Sequence, residues 1–109
     1  MELTILTPTF NRGGVLQNLY NSLKEQTCKD FEWVIVDDGS SDNTKDIVEK
    51  WVAEDEICIR YLYKENGGKH TALNFAIKQI ESELTFIVDS DDILTVDAVV
   101  TRCLRFDVA

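Results

Sequence analysis

Apolar residues along the chain form two patterns that alternate with each other, strand-like runs and segments with helical spacing. There are four short strand-like runs. These runs are continuously or alternately apolar, as β-strands are, and they cover residues 3–8, 31–37, 57–63 and 84–89. The near-continuous apolar segments WVIV and TFIV are typical of strands buried on both faces of a parallel sheet. Pro8, the only proline, is predicted to stop the first strand because it cannot donate to a ladder.

Between these runs, apolar residues recur at helical spacing, which predicts helices after Gly14 and over 42–55, 67–82 and 96–106. Ser41 or Asp42 is expected to cap the second helix. Strands that alternate with helices require crossover connections, so we predict an α/β fold with three α/β/α layers and a mostly parallel sheet. The residues expected to face inward are Val15, Leu16, Leu19, Tyr20, Leu23, Ile47, Val48, Trp51, Val52, Ala72, Leu73, Ala76, Ile77 and Ile80.

Length and charge narrow the class of protein. The chain has 109 residues and is 44% hydrophobic, which predicts a single domain over residues 1–109. The net charge of −9 would repel a polyanion, so nucleic acid is not expected as a partner. Three widely spaced cysteines, Cys28, Cys58 and Cys103, favour reduced structural thiols over a zinc site.

The sequence also bears on location. It has no apolar run near the roughly 18 residues that a membrane span requires. The N-terminus MELTILTPTF lacks the basic flank of a secretory signal. We therefore expect a cytoplasmic protein, or one at the cytosolic face of a membrane if another segment supplies an anchor.

Acidic residues gather where the second and fourth predicted strands end. Asp37 and Asp38 follow WVIV, whereas Asp89, Asp91 and Asp92 follow TFIV. Because ligands of open parallel sheets collect at the carboxyl ends of the strands, we expect these five carboxylates to converge. Clustered carboxylates repel one another unless a cation relieves them, and their hard oxygens favour Mg²⁺, Mn²⁺ or Ca²⁺. In the segment 42–44, by contrast, the polar side chains are read as helix caps.

Four motifs stand in order between positions 7 and 92: TPTFNR, WVIVDDGSSDNT, NGGKHTALN and FIVDSDD. This series resembles the nucleotide-sugar-binding half of the inverting family 2 glycosyltransferases. The resemblance implies a Rossmann-like GT-A fold and inverting transfer of a sugar from a nucleotide-diphosphate donor. The expected donor is UDP-linked, because uracil is the family's commonest base. The resemblance also implies Mn²⁺ or Mg²⁺ as cofactor and a carbohydrate or lipid-linked acceptor.

Carried over residue by residue, the resemblance also implies roles for single positions. Thr7, Pro8 and Thr9 would line the nucleoside pocket, and Asp38, or failing that Asp37, would recognise the base. The remaining implied residues are Asp89 on the sugar and ribose side and as a metal ligand, Asp91 as the chief metal ligand, Asp92 as a ligand or a cap, and Lys69 at the diphosphate or in solvent.

Other polar and aromatic residues near these motifs are expected to be structural. His70 and Arg12 are read as surface or rim residues more readily than as ligand contacts. Aromatic residues at strand or helical spacing usually belong to the core. On that basis we predict packing roles for Asn74, Phe10, Trp33, Trp51 and Phe75.

The resemblance also implies a part of the enzyme that this chain does not contain. In this family the general base that deprotonates the acceptor hydroxyl follows the metal-binding motif, so it is expected beyond residue 109. Asp97 and Asp107 lack a fitting context, and no catalytic residue is assigned. We expect the chain to bind donor without appreciable transfer, and an open sheet edge or face to favour a homodimer.

Three other readings of the acidic motifs remain open at this point. DSDDI resembles the strand-end motif of haloacid-dehalogenase-type phosphatases, with Asp89 as nucleophile and Asp91 as acid. A nucleotidyltransferase would need a glycine where Pro8 stands, so that backbone could approach the phosphates. A non-catalytic receiver-like module would group Asp37, Asp38 and Asp89 around Mg²⁺.

Overall fold

The computed structural model of the chain describes residues 3–27, 29–82 and 84–90. The predictions that concern Cys28, Asp91, Asp92, Asp97, Cys103, Asp107 and the helix 96–106 lie outside these residues. The elements in chain order are β1 (Leu3–Thr9), α1 (Gly13–Lys24), β2 (Glu32–Asp37), α2 (Thr44–Glu54), β3 (Cys58–Tyr63), α3 (Lys69–Ile77) and β4 (Leu84–Ile87).

The four strands form one parallel sheet in the order β3-β2-β1-β4. Strand β1 is central, and its last residue, Thr9, lies opposite Asp37, which in turn lies opposite Tyr63. The carboxyl ends of three neighbouring strands therefore meet at one edge of the sheet. This arrangement confirms the predicted α/β fold with a parallel sheet.

The sheet is covered on both faces because β2 alternates its side chains between two cores. Trp33 and Ile35 pack with the apolar stripes of α1 and α2 on one face. Val34 and Val36 pack with Ala72 and Ala76 of α3 and with Leu6 on the other face. The prediction that WVIV is buried on both faces is confirmed, and so is the three-layer architecture.

An aromatic stack fixes α1 and α2 against the sheet. The ring of Tyr20 lies 4.2 Å from that of Trp51, which lies 5.9 Å from that of Trp33. All three side chains are buried, as predicted for Trp33 and Trp51. Near-parallel aromatic contacts of this kind add about 0.5–1.5 kcal/mol beyond the burial of area.

Pro8 does not stop β1, which continues to Thr9, so that prediction was wrong by one residue. The Leu6 carbonyl accepts from the Val88 N–H, whereas the Thr9 carbonyl accepts from the Asp38 N–H. The backbone of β1 thus turns alternately towards β4 and β2. Pro8 falls on the β4 side, where the paired register ends at Leu6 and Ile87, so its missing N–H leaves the β2 ladder intact.

Some residues predicted to be inward are exposed. TFIV is not buried on both faces, because β4 is the outermost strand of the described sheet and Ile87 is 53% exposed. Helix α3 is shorter than predicted and meets the sheet through Ala72 and Ala76, one turn apart. Residues to either side of that contact therefore face outward. The other exposed residues among those predictions are Phe10, Val15, Val52, Asn74, Phe75 and Ile77.

None of the helices in residues 3–27, 29–82 and 84–90 has the length and apolar character needed to cross a bilayer.

Candidate functional site

A cleft of about 340 Å³ opens at the carboxyl edge of the sheet. It lies where the end of β1, the residue after β2, the start of α3 and the segment after β4 come together. Its lining among the described residues consists of Pro8, Thr9, Phe10, Arg12, Asp38, Lys69, Asp89 and Ser90. Five residues singled out from the sequence, Pro8, Thr9, Asp38, Lys69 and Asp89, thus share one cavity.

Two other residues singled out from the sequence, Thr7 and Asp37, point away from this cleft. The Thr7 hydroxyl accepts a buried hydrogen bond of 2.9 Å from the indole N–H of Trp33. Asp37 is fully buried and accepts from the Ser40 N–H at 2.8 Å and from the Tyr61 hydroxyl. Burial, and then the hydrogen bond to Asp37, raise the pKa of Tyr61, so this phenol stays a donor. Both residues belong to the scaffold that holds the cleft.

Asp38 lies on the wall of the cleft and is 4% exposed. Its Oδ1 accepts from the Lys64 ammonium at 2.9 Å and from the Gly67 N–H at 3.0 Å. Its Oδ2 accepts from the Gly68 N–H at 2.8 Å, and the Asn66 side-chain amide lies 3.5 Å away. Burial by itself would raise the pKa of Asp38, but these donors outweigh it and lower that pKa. The carboxylate is therefore ionised at neutral pH.

Lys69, at the start of α3, and Asp89, after the end of β4, form an ion pair at the rim of the cleft. Lys69 Nζ lies 2.7 Å from Asp89 Oδ1, and the two side chains are 58% and 49% exposed. Lys69 is also the first residue of α3, where the helix dipole and the orphan N–H groups favour an anion. The pair thus places one positive and one negative charge at the rim.

The end of β1 forms one wall of the cleft and contributes Thr9 and Phe10 to it. The Thr9 hydroxyl is buried and has no hydrogen-bond partner among residues 3–27, 29–82 and 84–90. Next to it, Phe10 is 46% exposed and contributes an aromatic surface to the cleft. An aromatic face beside a hydroxyl without a partner can take a flat, polar ring.

Sequence reasoning missed the contacts that hold the loop after β1. Asn11 adopts a left-handed conformation with φ of 51°, and its side-chain oxygen accepts from the N–H groups of Ser41 and Asp42. The Asn11 N–H in turn donates to the Ser40 hydroxyl at 2.8 Å. Asparagine is one of the few residues that tolerate this conformation, so its place in the loop three positions after the predicted strand was the available signal.

The N-cap of α2 is Asn43, which makes no side-chain cap hydrogen bond, so the prediction of Ser41 or Asp42 as the cap was wrong. Asp42 nevertheless holds the start of the helix through its carboxylate. Its Oδ1 accepts from the N–H of Thr44, the first residue of α2, at 3.0 Å. Burial tends to raise the pKa of Asp42, but hydrogen bonds from Thr44 and Gly13 lower it. His70 and Asn74, which the sequence left at the edge of the motifs, do not line the cleft.

The described residues do not form a complete divalent-cation site. They contain no group of three or more His, Cys, Asp or Glu side chains that could hold a metal ion. Asp89 lines the cleft with its Oδ1 paired to the Lys69 ammonium, whereas both carboxylate oxygens of Asp38 are engaged by N–H donors. Mg²⁺ takes one or two carboxylates together with substrate phosphates, so a single carboxylate here fits such an ion.

Comparison with protein families gives one match over nearly the whole chain. The profile described as "Glycosyl transferase family 2" matches residues 4–106.

Curated relatives include the poly(ribitol-phosphate) beta-N-acetylglucosaminyltransferase TarS of Staphylococcus aureus, 38% identical over 94 residues. That match covers 84% of this chain and 16% of TarS. Another is the GalNAc(5)-diNAcBac-PP-undecaprenol beta-1,3-glucosyltransferase of Campylobacter jejuni, 34% identical, with 86% of this chain and 31% of the relative covered. The chain thus spans less than a third of the length of either relative.

Solved structures give the same result. The crystal structure of S. aureus TarS 1–349 in complex with UDP-GlcNAc aligns with a TM-score of 0.90 at 33% identity, over 98% of this chain and 31% of that one. The mannosyltransferase PcManGT of Pyrobaculum calidifontis, in complex with GDP-Man and Mn²⁺, aligns with a TM-score of 0.85 at 25% identity, over 95% and 31%. The GT-A fold implied by the sequence motifs is confirmed.

Proposed function

Because the chain belongs to glycosyl transferase family 2, we propose that its cleft binds the nucleotide-diphosphate part of a sugar donor, with UDP as the nucleotide. The observation that carries this proposal is the convergence of Thr9, Asp38, Lys69 and Asp89 on one cavity at the carboxyl edge of a parallel sheet. TarS, whose fold this chain shares, was solved with UDP-GlcNAc.

Each part of the donor has a counterpart in the cleft. The buried Thr9 hydroxyl and the exposed face of Phe10 suit a nucleoside, which offers a flat ring and hydrogen-bonding groups. Lys69, at the N-terminus of α3, suits the diphosphate because it adds a full positive charge to the helix dipole. Asp89, which pairs with Lys69 at the rim, would face the ribose and the sugar.

We further propose that a divalent cation, Mn²⁺ or Mg²⁺, is held by Asp89 together with Asp91. A cation bound there would offset the charge of the diphosphate and stabilise it as a leaving group. The Mn²⁺ complex of PcManGT supports this choice of cation. Without a cation, the excess of acidic groups in this protein, with its net charge of −9, would oppose a polyphosphate ligand.

The remaining parts of the proposal concern the complete reaction. The sugar would pass to an acceptor hydroxyl with inversion, and the acceptor would be a carbohydrate or a lipid-linked saccharide, as the Campylobacter relative's name suggests for that enzyme. The acceptor-binding part and the general base would come from a segment beyond this chain. The chain itself would bind the donor only. We place the protein in the cytoplasm or at the cytosolic face of a membrane.

The alternatives left open by the acidic motifs are not favoured. A phosphatase or a receiver-like module would use Asp89 in a different chain context, and the relatives that match this chain are glycosyltransferases. Homodimer formation stays a prediction, and the exposure of Ile87 on the outermost described strand supports it.

The proposal is tested by thermal shift and calorimetry with UDP, GDP and dTDP, each with and without Mn²⁺. We expect UDP to stabilise the protein in a Mn²⁺-dependent manner, and the Mn²⁺ dependence to disappear in Asp89→Asn and in Asp91→Ala. Glu81→Gln, an exposed acid before β4, is the matched control. If none of the three diphosphates binds at millimolar concentration with Mn²⁺ present, the proposal is wrong.

A further inference from the structure

Arg12 lines the cleft with a positive charge that no described residue pairs with. Its guanidinium forms no hydrogen bond or ion pair with residues 3–27, 29–82 and 84–90, whereas the Lys69 ammonium pairs with Asp89 at 2.7 Å. Arg12 is also exposed, and a guanidinium carries several N–H donors in a fixed fork. An acceptor on a bound ligand can therefore take these donors without displacing a described protein group.

The turn that carries Arg12 is held at both ends, so its side chain starts from a fixed place. The Arg12 carbonyl accepts from two N–H groups in the first turn of α1, at 3.1 and 2.9 Å. The preceding residue, Asn11, is tied to the loop after β2 by three hydrogen bonds. Because α1 and α3 pack on opposite faces of the sheet, Arg12 and Lys69 reach the cleft from opposite sides. Arg12 thus belongs to the side of Thr9 and Phe10.

On the wall of the same cleft, the Asp38 carboxylate can accept one more hydrogen bond. A carboxylate has about four lone-pair sites. In the described chain, three of them are taken by donors of the connection between β3 and α3, residues 64–68, at 2.9, 3.0 and 2.8 Å. The fourth is approached only by the Asn66 amide, at 3.5 Å. An ionised group that only accepts will select an N–H of the ligand at this place.

The hydrogen-bonding edge of uracil presents such an N–H, at N3, between the carbonyls at C2 and C4. When N3–H donates to Asp38, both carbonyl oxygens lie near a negative charge, and each requires a donor. The Thr9 hydroxyl has a single hydrogen to offer, so it can serve one of them. The other side-chain donors of the cleft, Lys69 and Ser90, lie at the rim that the proposed function gives to the diphosphate and the sugar. The side-chain donor left for the second carbonyl is Arg12.

We propose that the Arg12 guanidinium donates to a carbonyl oxygen of the base and is thereby a specificity-determining residue of the cleft. Arg12 and Asp38 together match neighbouring atoms of uracil, a donor against C=O and an acceptor against N–H. Cytosine presents a lone pair at N3 and an amino group at C4, so it meets the carboxylate with the wrong partner. The inference rests on the proposed function, because it takes the ligand to be UDP.

Thio-substituted nucleotides test this contact at single atoms, because a thiocarbonyl sulfur accepts hydrogen bonds more weakly than a carbonyl oxygen. Calorimetry with Mn²⁺ gives the affinities of UDP, 2-thio-UDP and 4-thio-UDP for the wild type and for Arg12→Met. We expect the wild type to prefer UDP over at least one of the thio analogues. In Arg12→Met the affinity for UDP should fall about tenfold, the size expected for losing a charged hydrogen bond, and that preference for oxygen should vanish.

Two controls separate this contact from charge and from folding. Lys78→Met removes an exposed positive charge at the far end of α3, away from the cleft, and should bind all three nucleotides as the wild type does. Arg12 is exposed and caps α1 without a side-chain hydrogen bond, so Arg12→Met should unfold at the same denaturant concentration as the wild type.

The possible failures of the two proposals can be told apart. If the wild type bound UDP and Arg12→Met bound it equally well, the proposed function would stand and Arg12 would have no part in recognition. If Arg12→Met lost affinity for all three nucleotides by one factor, the guanidinium would act on the diphosphate and its assignment to the base would be wrong. A wild type without any preference for oxygen would overturn the inference too. If the wild type bound none of the nucleotides, both proposals would fail.

Discussion

Lys69 Nζ and Asp89 Oδ1 lie 2.7 Å apart at the rim of the cleft, although the two residues are 20 positions apart in the chain. Both side chains are about half exposed, so water screens the pair and its contribution to folding is small. The pair is better understood as two charges kept near the place where a charged ligand would bind. A bound phosphate would pair with the lysine, and a bound cation would pair with the aspartate.

Lys69→Met should therefore lower the affinity for UDP without unfolding the protein. We expect the affinity to fall about tenfold or more because a charged donor to phosphate is lost. The free energy of unfolding should change by less than about 1 kcal/mol, since an exposed ion pair contributes little. Calorimetry with UDP and Mn²⁺ and chemical denaturation measure the two quantities.

Lys78→Met serves as the control for this prediction, because it removes the same charge from the opposite end of the same helix. If both lysine variants lost UDP affinity equally, the effect would reflect net charge, and Lys69 would have no specific part in binding.

Thr9→Val is expected to separate binding from stability. The Thr9 hydroxyl is buried and lacks a hydrogen-bond partner among the described residues, which costs about 1–3 kcal/mol for a buried polar group. Valine has nearly the same shape, so the variant should be at least as stable as the wild type. Its affinity for UDP should fall, because the hydroxyl would no longer meet a ligand group. A more stable variant with unchanged affinity would show that Thr9 does not contact the ligand.

Thr7→Val should have the opposite effects, although Thr7 lies two residues away on the same strand. Its hydroxyl accepts from the buried indole N–H of Trp33, and valine would leave that N–H without an acceptor. We expect the free energy of unfolding to drop by about 1–3 kcal/mol, with UDP affinity retained. Denaturation and calorimetry on the two threonine variants side by side test whether the cleft begins between positions 7 and 9.

The threonine pair also illustrates what the sequence could predict. Hydrophobic periodicity placed β1 and the parallel sheet correctly, because apolar patterns record which faces are buried. The motif TPTFNR indicated that its residues lie near a ligand, but it did not separate Thr7 from Thr9. Thr7 and Thr9 lie on the same face of β1, so their separation depends on the position of Trp33 in the neighbouring strand and on where β1 ends, and neither is a local property of the motif.

The part of the site that sequence reasoning missed consists of contacts between loops. Asn11 reaches Ser41 across 30 positions, and Lys64 reaches Asp38 across 26. No periodic pattern encodes such pairs, because each is set by which strand ends happen to be neighbours in the sheet. The exposure of Phe75 and Ile77 was missed for a related reason: it follows from the small side chains through which α3 meets the sheet.

Gly39→Ala provides the last prediction, because it acts on the junction between Asp38 and the segment 64–68. Gly39 has φ of 81°, and an added Cβ would lie 2.6 Å from the backbone nitrogen of Asn66. The left-handed conformation alone costs a residue with a side chain about 1–3 kcal/mol, and the close approach to backbone adds to it. We expect a lower free energy of unfolding in denaturation experiments, together with faster amide exchange at Gly67 and Gly68.

Gly14→Ala is the matched control for this substitution. Gly14 lies in α1, where an added Cβ would meet nothing within 4 Å. Alanine should therefore raise stability by up to about 1 kcal/mol through its higher helix propensity. If Gly39→Ala were as stable as Gly14→Ala, the tight approach of Gly39 to the backbone of Asn66 would not exist in solution.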